Sequence, residues 1–156
     1  SKTISPNLRV GYMLANPQRI EQFERLKMLS GLTSSEIAEK IVYNVVTDGR
    51  WRKHLRNLRS KLKAAHEHVS ERLHAHGFET FFEPDEGMYI WARHPAIADS
   101  AQLAATATAD GIMFGPGQLF LVDAAPTGWM RFNVTYAEDK AIWDYLQRWL
   151  SQQPTP

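Results

Sequence analysis

Residues 50–76 carry the longest periodic pattern in the chain, and it limits the fold more than any other feature. Trp51, Leu55, Leu58, Leu62, Ala65, Val69 and Leu73 recur at the spacing that lines up one side of an α-helix. Gly77 follows, a residue type suited to the left-handed position that ends a helix. The pattern predicts a single helix of roughly 27 residues, about twice the usual globular length. A helix that long outruns one small core, so it predicts a connector between two domains, with a boundary inside it.

On the N-terminal side, Leu8 to Ala15 is short, apolar and β-prone, and predicts a buried strand. Asn16-Pro17 predicts a cap and first helical residue, with a helix to about Ser30 ended by Gly31 and an inward stripe of Ile20, Phe23 and Leu26. Thr33-Ser34-Ser35-Glu36 offers caps for a second helix carrying Ile37, Ile41, Val42 and Val45, which stops near Asp48-Gly49.

Beyond Gly77 the rhythm shortens. Phe78–Glu83 and Met88–Arg93 predict a hairpin about a turn at Pro84-Asp85-Glu86-Gly87. Asp99 or Ser100 caps a small alanine-rich helix ending at Asp110-Gly111, and Gly115-Pro116-Gly117 reads as a tight turn. Trp129–Val134 predicts a strand, and Ala137–Leu150 an amphipathic helix with Ile142, Tyr145, Leu146, Trp149 and Leu150 inward. The order β-β-α-β-β-α behind a long helix predicts an α+β domain.

Composition narrows the function classes. At 156 residues with 44% apolar and 22% charged residues, the chain is an ordinary globular one. A net charge of +1 gives no overall nucleic-acid signature. The absence of cysteine excludes disulfides and thiolate metal sites. No apolar run reaches the ~20 residues of a membrane span, so a cytoplasmic protein that does not meet the membrane is expected.

Lys2, Arg9 and Arg131 are the candidate site residues. A lysine that bonds a cofactor aldehyde needs burial or a nearby cation to lower its ordinary pKa of ~10.4. An arginine offers a planar fork for a phosphate dianion. Lys2 and Arg9 can supply these roles if Ser5-Pro6-Asn7 turns the segment back, with Gly11 permitting close backbone packing. Spacing alone leaves solvated charges as the alternative. In the strand at 129–134, alternation puts Trp129, Arg131 and Asn133 on one face and Met130, Phe132 and Val134 on the other. An Arg beside an Asn can clamp a carboxylate; a solvated strand face is the alternative.

The opening string Ser1-Lys2-Thr3-Ile4-Ser5-Pro6-Asn7-Leu8-Arg9-Val10-Gly11-Tyr12 resembles the cofactor-lysine segment of fold type I pyridoxal-phosphate-dependent aminotransferases. It is most similar to the aminotransferase-like domain of the MocR branch of GntR-type transcription regulators. Further resemblances lie in Asp48 to Arg59, Glu86-Gly87-Met88-Tyr89-Ile90-Trp91, Phe114-Gly115-Pro116-Gly117-Gln118-Leu119-Phe120 and the Arg131 strand Trp129 to Val134. Glu86 stands where that family has a first glycine, and Leu62 where it often has tyrosine.

The resemblance implies a fold: the C-terminal small α+β domain of a fold type I transferase, with a long interdomain helix and a remnant of the large domain. Residues 1–50 would be the remnant of the large cofactor-binding domain, and 51–156 the linking helix plus the small domain. It implies pyridoxal 5′-phosphate as cofactor, Lys2 as catalytic and cofactor-binding residue, Arg9 on the cofactor phosphate, and Arg131 on a substrate carboxylate. It also implies an amino-acid or amine ligand, an N-terminal half of the cofactor domain outside this chain, a homodimer, and no turnover by this chain alone. A stand-alone class I/II aminotransferase and a self-standing α+β interaction module are the other readings.

Two further patterns are assigned structural roles. Arg50, Arg52, Lys53, Arg56, Arg59, Lys61 and Lys63 occupy the polar side of the long helix, without the aromatic interleaving of a nucleic-acid surface, so no direct nucleic-acid binding is expected. His66/His68 and His74/His76 are each two apart, which places the members of a pair on different helix faces and predicts no metal site.

Overall fold

The computed structural model describes residues 3–82 and 87–153. The chain divides into two compact units, Ser1–Leu58 and Arg59–Pro156, and the division falls within the long helix.

The first unit opens on a single 3-10 turn, Pro6–Leu8, where the Ser5 hydroxyl accepts from the Asn7 N–H at 3.3 Å. Arg9 follows in the left-handed region with φ 51°. Helix α1 spans Pro17–Gly31, and the Asn16 side chain accepts from the Arg19 N–H at 3.0 Å, as the Asn-Pro signal requires. Helix α2 spans Glu36–Thr47, capped by Ser35, with Glu36 and Glu39 in its first turn where the helix dipole favours them.

The strand expected over Leu8–Ala15 is not formed. A strand needs a neighbour for its backbone groups, and the described residues of this unit offer no second extended segment. The expected inward stripes stay open too: Phe23 is 42% and Ile37 76% exposed, and neither helix buries a residue.

Helix α3 spans Arg50–Ala75. Asp48 starts it by accepting from the Arg50 N–H at 2.9 Å and from the Arg50 guanidinium at 2.7 Å. Those two bonds hold the Asp48 carboxyl below its ordinary value. Gly77, at φ 79°, ends the helix as its position predicts, and the Phe78 N–H reaches back to the Leu73 carbonyl at 2.9 Å. The stripe is unevenly used. Val69 and Leu73 are fully buried, whereas Trp51, Leu55 and Leu58 are half-buried.

In the second unit a four-stranded antiparallel sheet runs in the order β1-β2-β4-β3. The strands are β1 (Glu79–Thr80), β2 (Tyr89–Arg93), β3 (Gly115–Pro116) and β4 (Trp129–Asn133). Helix α4, Ser100–Ala109, starts at Asp99 and ends before Gly111 at φ 74°. Helix α5, Lys140–Ser151, is capped by Asp139. Ile90 opposes Phe132 and Ala92 opposes Met130, and all four point into a core shared with Val69, Leu73, Leu103 and Leu146. Trp143, absent from the expected inward set, is buried and donates its ring N–H to the Ala137 carbonyl at 2.7 Å.

Gly115-Pro116, read from sequence as part of a tight turn, pairs instead with β4 as an edge strand. An edge tolerates proline because the missing N–H faces away from the ladder. Gly117 then enters a 3-10 turn that ends at Phe120. A Cβ there would collide with the Trp129 carbonyl, while the Gly117 N–H donates to the buried Ser100 hydroxyl at 3.0 Å. Of the expected hairpin turn at 84–87, residues 84–86 lie outside the described residues.

Two outcomes follow from this packing. Gly117→Ala should lower the urea unfolding stability of the second unit by about 1–3 kcal/mol, whereas Gly11→Ala, where an added Cβ meets nothing within 4 Å, should be near neutral. His94 is half-buried against Phe78, and its Nδ1 accepts from the Ala96 N–H at 3.1 Å, a bond that needs the unprotonated nitrogen. Desolvation lowers its pKa from the ordinary 6.5, against an opposing pull from Glu79. The unfolded chain therefore takes up the proton first, and the stability from neutral His94 is lost as pH falls below about 6.5. The stability difference between wild type and His94→Asn should shrink with acidity in parallel denaturation curves.

Candidate functional site

The outer face of the sheet is built by β2–β4 alternation. Tyr89, Trp91 and Arg93 from β2 and Trp129, Arg131 and Asn133 from β4 share it, opposite the buried Ile90, Ala92, Met130 and Phe132. The Trp91 and Trp129 rings stack at 6.1 Å with 3° between planes. Arg93 lies over Trp129 at 5.2 Å and is neutralised by Glu79 at 2.8 Å.

Arg131 is different. Its guanidinium lies 3.8 Å from the centre of the Phe120 ring and 4.2 Å from that of Tyr89, and it forms no ion pair among the described residues. It is exposed and lines a cleft of about 590 Å³ with Tyr89, Asn133, Met113 and Tyr136. The Asn133 side-chain Oδ1 accepts from the Thr135 N–H at 3.1 Å and from the Thr135 hydroxyl at 2.8 Å. An open guanidinium edge in a partly apolar cleft is suited to a carboxylate taken in its plane. Sequence alternation placed Arg131 and Asn133 on the shared face, and the structure agrees.

The first unit holds Arg9. It lines a cleft of about 890 Å³ together with Gly11, Tyr12, Phe23, Glu24 and Glu39. Its guanidinium donates to the Pro6 carbonyl at 3.4 Å and forms no ion pair among the described residues, so its charge is open to an anion. Gly11, expected to permit close packing, has nothing near its Cα hydrogens. Lys2 lies outside the described residues. The next residue is anchored: the Thr3 carbonyl is 2.6 Å from the His54 Nε2, and His54 stacks on Trp51 at 5.9 Å.

Sequence reasoning did not assign roles to Tyr89, Phe120 or His54. The alternation of β2 could have placed Tyr89 beside Arg131. Phe120 comes from a turn four residues beyond the edge strand, and no spacing rule brings it over β4. Among the described residues no cluster could hold a metal ion, and no helix is long and apolar enough to cross a membrane.

Comparison with known proteins bears on the family and the fold. A family model for aminotransferase class I and II matches residues 2–146. The aromatic-amino-acid aminotransferase 1 of Thermococcus litoralis is 26% identical over 95% of this chain, which spans 36% of that protein. The probable rhizopine catabolism regulatory protein MocR of Rhizobium meliloti is 29% identical over 74% of this chain and 24% of its own length. The crystal structure of Pyrococcus horikoshii kynurenine aminotransferase, solved with PMP and kynurenine, superposes with a TM-score of 0.83 at 26% identity, covering 97% of this chain and 38% of that one. The α+β arrangement expected from sequence is therefore part of a fold type I aminotransferase fold, and the chain belongs to the aminotransferase class I and II family.

Proposed function

We propose that this chain is the C-terminal part of a pyridoxal-phosphate-dependent aminotransferase-like domain, and that Arg131 holds the carboxylate of its amino-acid ligand. The observation that carries this reading is the Arg131 guanidinium, which lines its cleft without an ion-pair partner among the described residues. Arg9 fits the phosphate of such a cofactor: it is a fork donor without an acidic partner among the described residues. Pyridoxal 5′-phosphate, when bound, supplies an aldehyde and an electron-withdrawing ring.

The protein groups divide the remaining work. Lys2 would hold the cofactor through its side-chain amine, and that amine would be the group placed to accept a proton from the ligand Cα. Arg9 neutralises the phosphate. Arg131 fixes the ligand by its carboxylate, so that the Cα–H is presented in one orientation. The His54 bond to the Thr3 carbonyl restrains the backbone one residue from Lys2.

The domain is proposed as the ligand-sensing part of a MocR-type regulator, a reading supported by the regulator relative and by the opening string. DNA binding would then lie outside this chain. The Thermococcus litoralis relative, matched over 95% of this chain, supports a stand-alone aminotransferase as second reading. Transaminase turnover by the full-length protein favours the enzyme, and amino-acid-dependent DNA affinity without turnover favours the regulator.

Borohydride reduction of the full-length protein with pyridoxal 5′-phosphate should label Lys2, seen by peptide mapping, and Lys2→Ala should remove the label. Arg131→Ala should weaken amino-acid binding by roughly 10–150-fold, the worth of a charge-assisted hydrogen bond of ~1.5–3 kcal/mol. Arg9→Ala should weaken cofactor retention and leave the carboxylate site intact.

A further inference from the structure

We propose that Tyr89 and Phe120 are positioning residues that lock the plane of the Arg131 guanidinium, making it selective for planar carboxylates over tetrahedral anions of equal charge. The proposal rests on the reading that Arg131 takes the ligand carboxylate.

A free arginine side chain has many rotamers, so an exposed one samples many orientations. Here two aromatic rings, at 3.8 and 4.2 Å from the guanidinium carbon, restrict it. The rings come from separate places, Tyr89 from the start of β2 and Phe120 from the turn after β3. Each is itself held. Tyr89 is paired in register with Asn133, and Phe120 meets Trp91 edge-on at 5.8 Å and 87°.

All guanidinium donors lie in one plane and point outward at its edge. A carboxylate meets that edge with both oxygens in the plane. A sulfonate must put a third oxygen out of the plane, toward space that the rings restrict. Ring–cation attraction sets the scale of the loss when one ring is removed.

The test is NMR of this chain with arginine side chains labelled, following the Arg131 Nε–H signal. The probes are 3-phenylpropionate and 2-phenylethanesulfonate, which share a tail and a single negative charge. Without ligand, wild-type Arg131 Nε–H should show the upfield shift of a proton close to aromatic rings, and Phe120→Leu should move it back. In wild type the carboxylate should bind more tightly than the sulfonate. In Phe120→Leu and in Tyr89→Leu, carboxylate affinity should fall roughly 3- to 10-fold, as a ring–cation contact implies, and the preference should disappear. Phe120→Tyr, which keeps the ring, should restore both.

An Arg131 signal and a carboxylate-to-sulfonate ratio unchanged in both leucine variants would overturn the clamp. A ring-shifted Arg131 signal with carboxylate binding undiminished in Arg131→Ala would instead overturn the carboxylate reading, while the unliganded signal still decides for the clamp.

Discussion

The antiparallel pairing of β2 with β4 is the constraint on which the rest of this structure depends. Its register sends Ile90, Ala92, Met130 and Phe132 inward and leaves Tyr89, Trp91, Arg93, Trp129, Arg131 and Asn133 outside. A slip of one residue would exchange the two sets, burying an arginine and exposing the core. Core packing and presentation of Arg131 are thus one commitment. The close passages reinforce it: Gly117 lies against the Trp129 carbonyl and Gly128 against that of Ile97, so β4 is held at its start by contacts that admit no side chain.

The two units differ in how completely they satisfy themselves. The second has a contiguous core running from Ala65 to Leu146. The first has well-capped helices but no buried residue in α1 or α2, and Tyr12, Leu14 and Leu29 are largely exposed. Its helices exist because caps and local sequence specify them, while the surface that would cover their apolar stripes is not supplied by the unit itself. The chain spans 36% of the length of the Thermococcus litoralis relative.

Local chemistry was legible from sequence, and non-local pairing was not. The caps at Asn16, Ser35 and Asp99, and the stop at Gly77, follow from side chains acting on backbone within a few residues. The faces of β4 followed from alternation. Leu8–Ala15 failed as a strand because its apolar run says nothing about a pairing neighbour, and Pro116 was missed in the sheet because proline signals a turn more strongly than an edge. Arg131 was singled out by its motif, but the rings beside it were not, because Phe120 reaches it only through the tertiary path of the β3 turn. Lys2 and Glu86 lie outside the described residues, so their roles stay with the proposal and not with the fold.

The central claim is that Arg131 is the carboxylate contact of an amino-acid site. A crystal structure of the full-length protein with pyridoxal 5′-phosphate and an amino-acid or 2-oxo-acid ligand tests it most directly. The account predicts both carboxylate oxygens in the guanidinium plane, at ~2.7–2.9 Å from two Arg131 nitrogens, with Tyr89 and Phe120 still covering its faces. A ligand carboxylate held by a different cation, with Arg131 left in solvent, would contradict it.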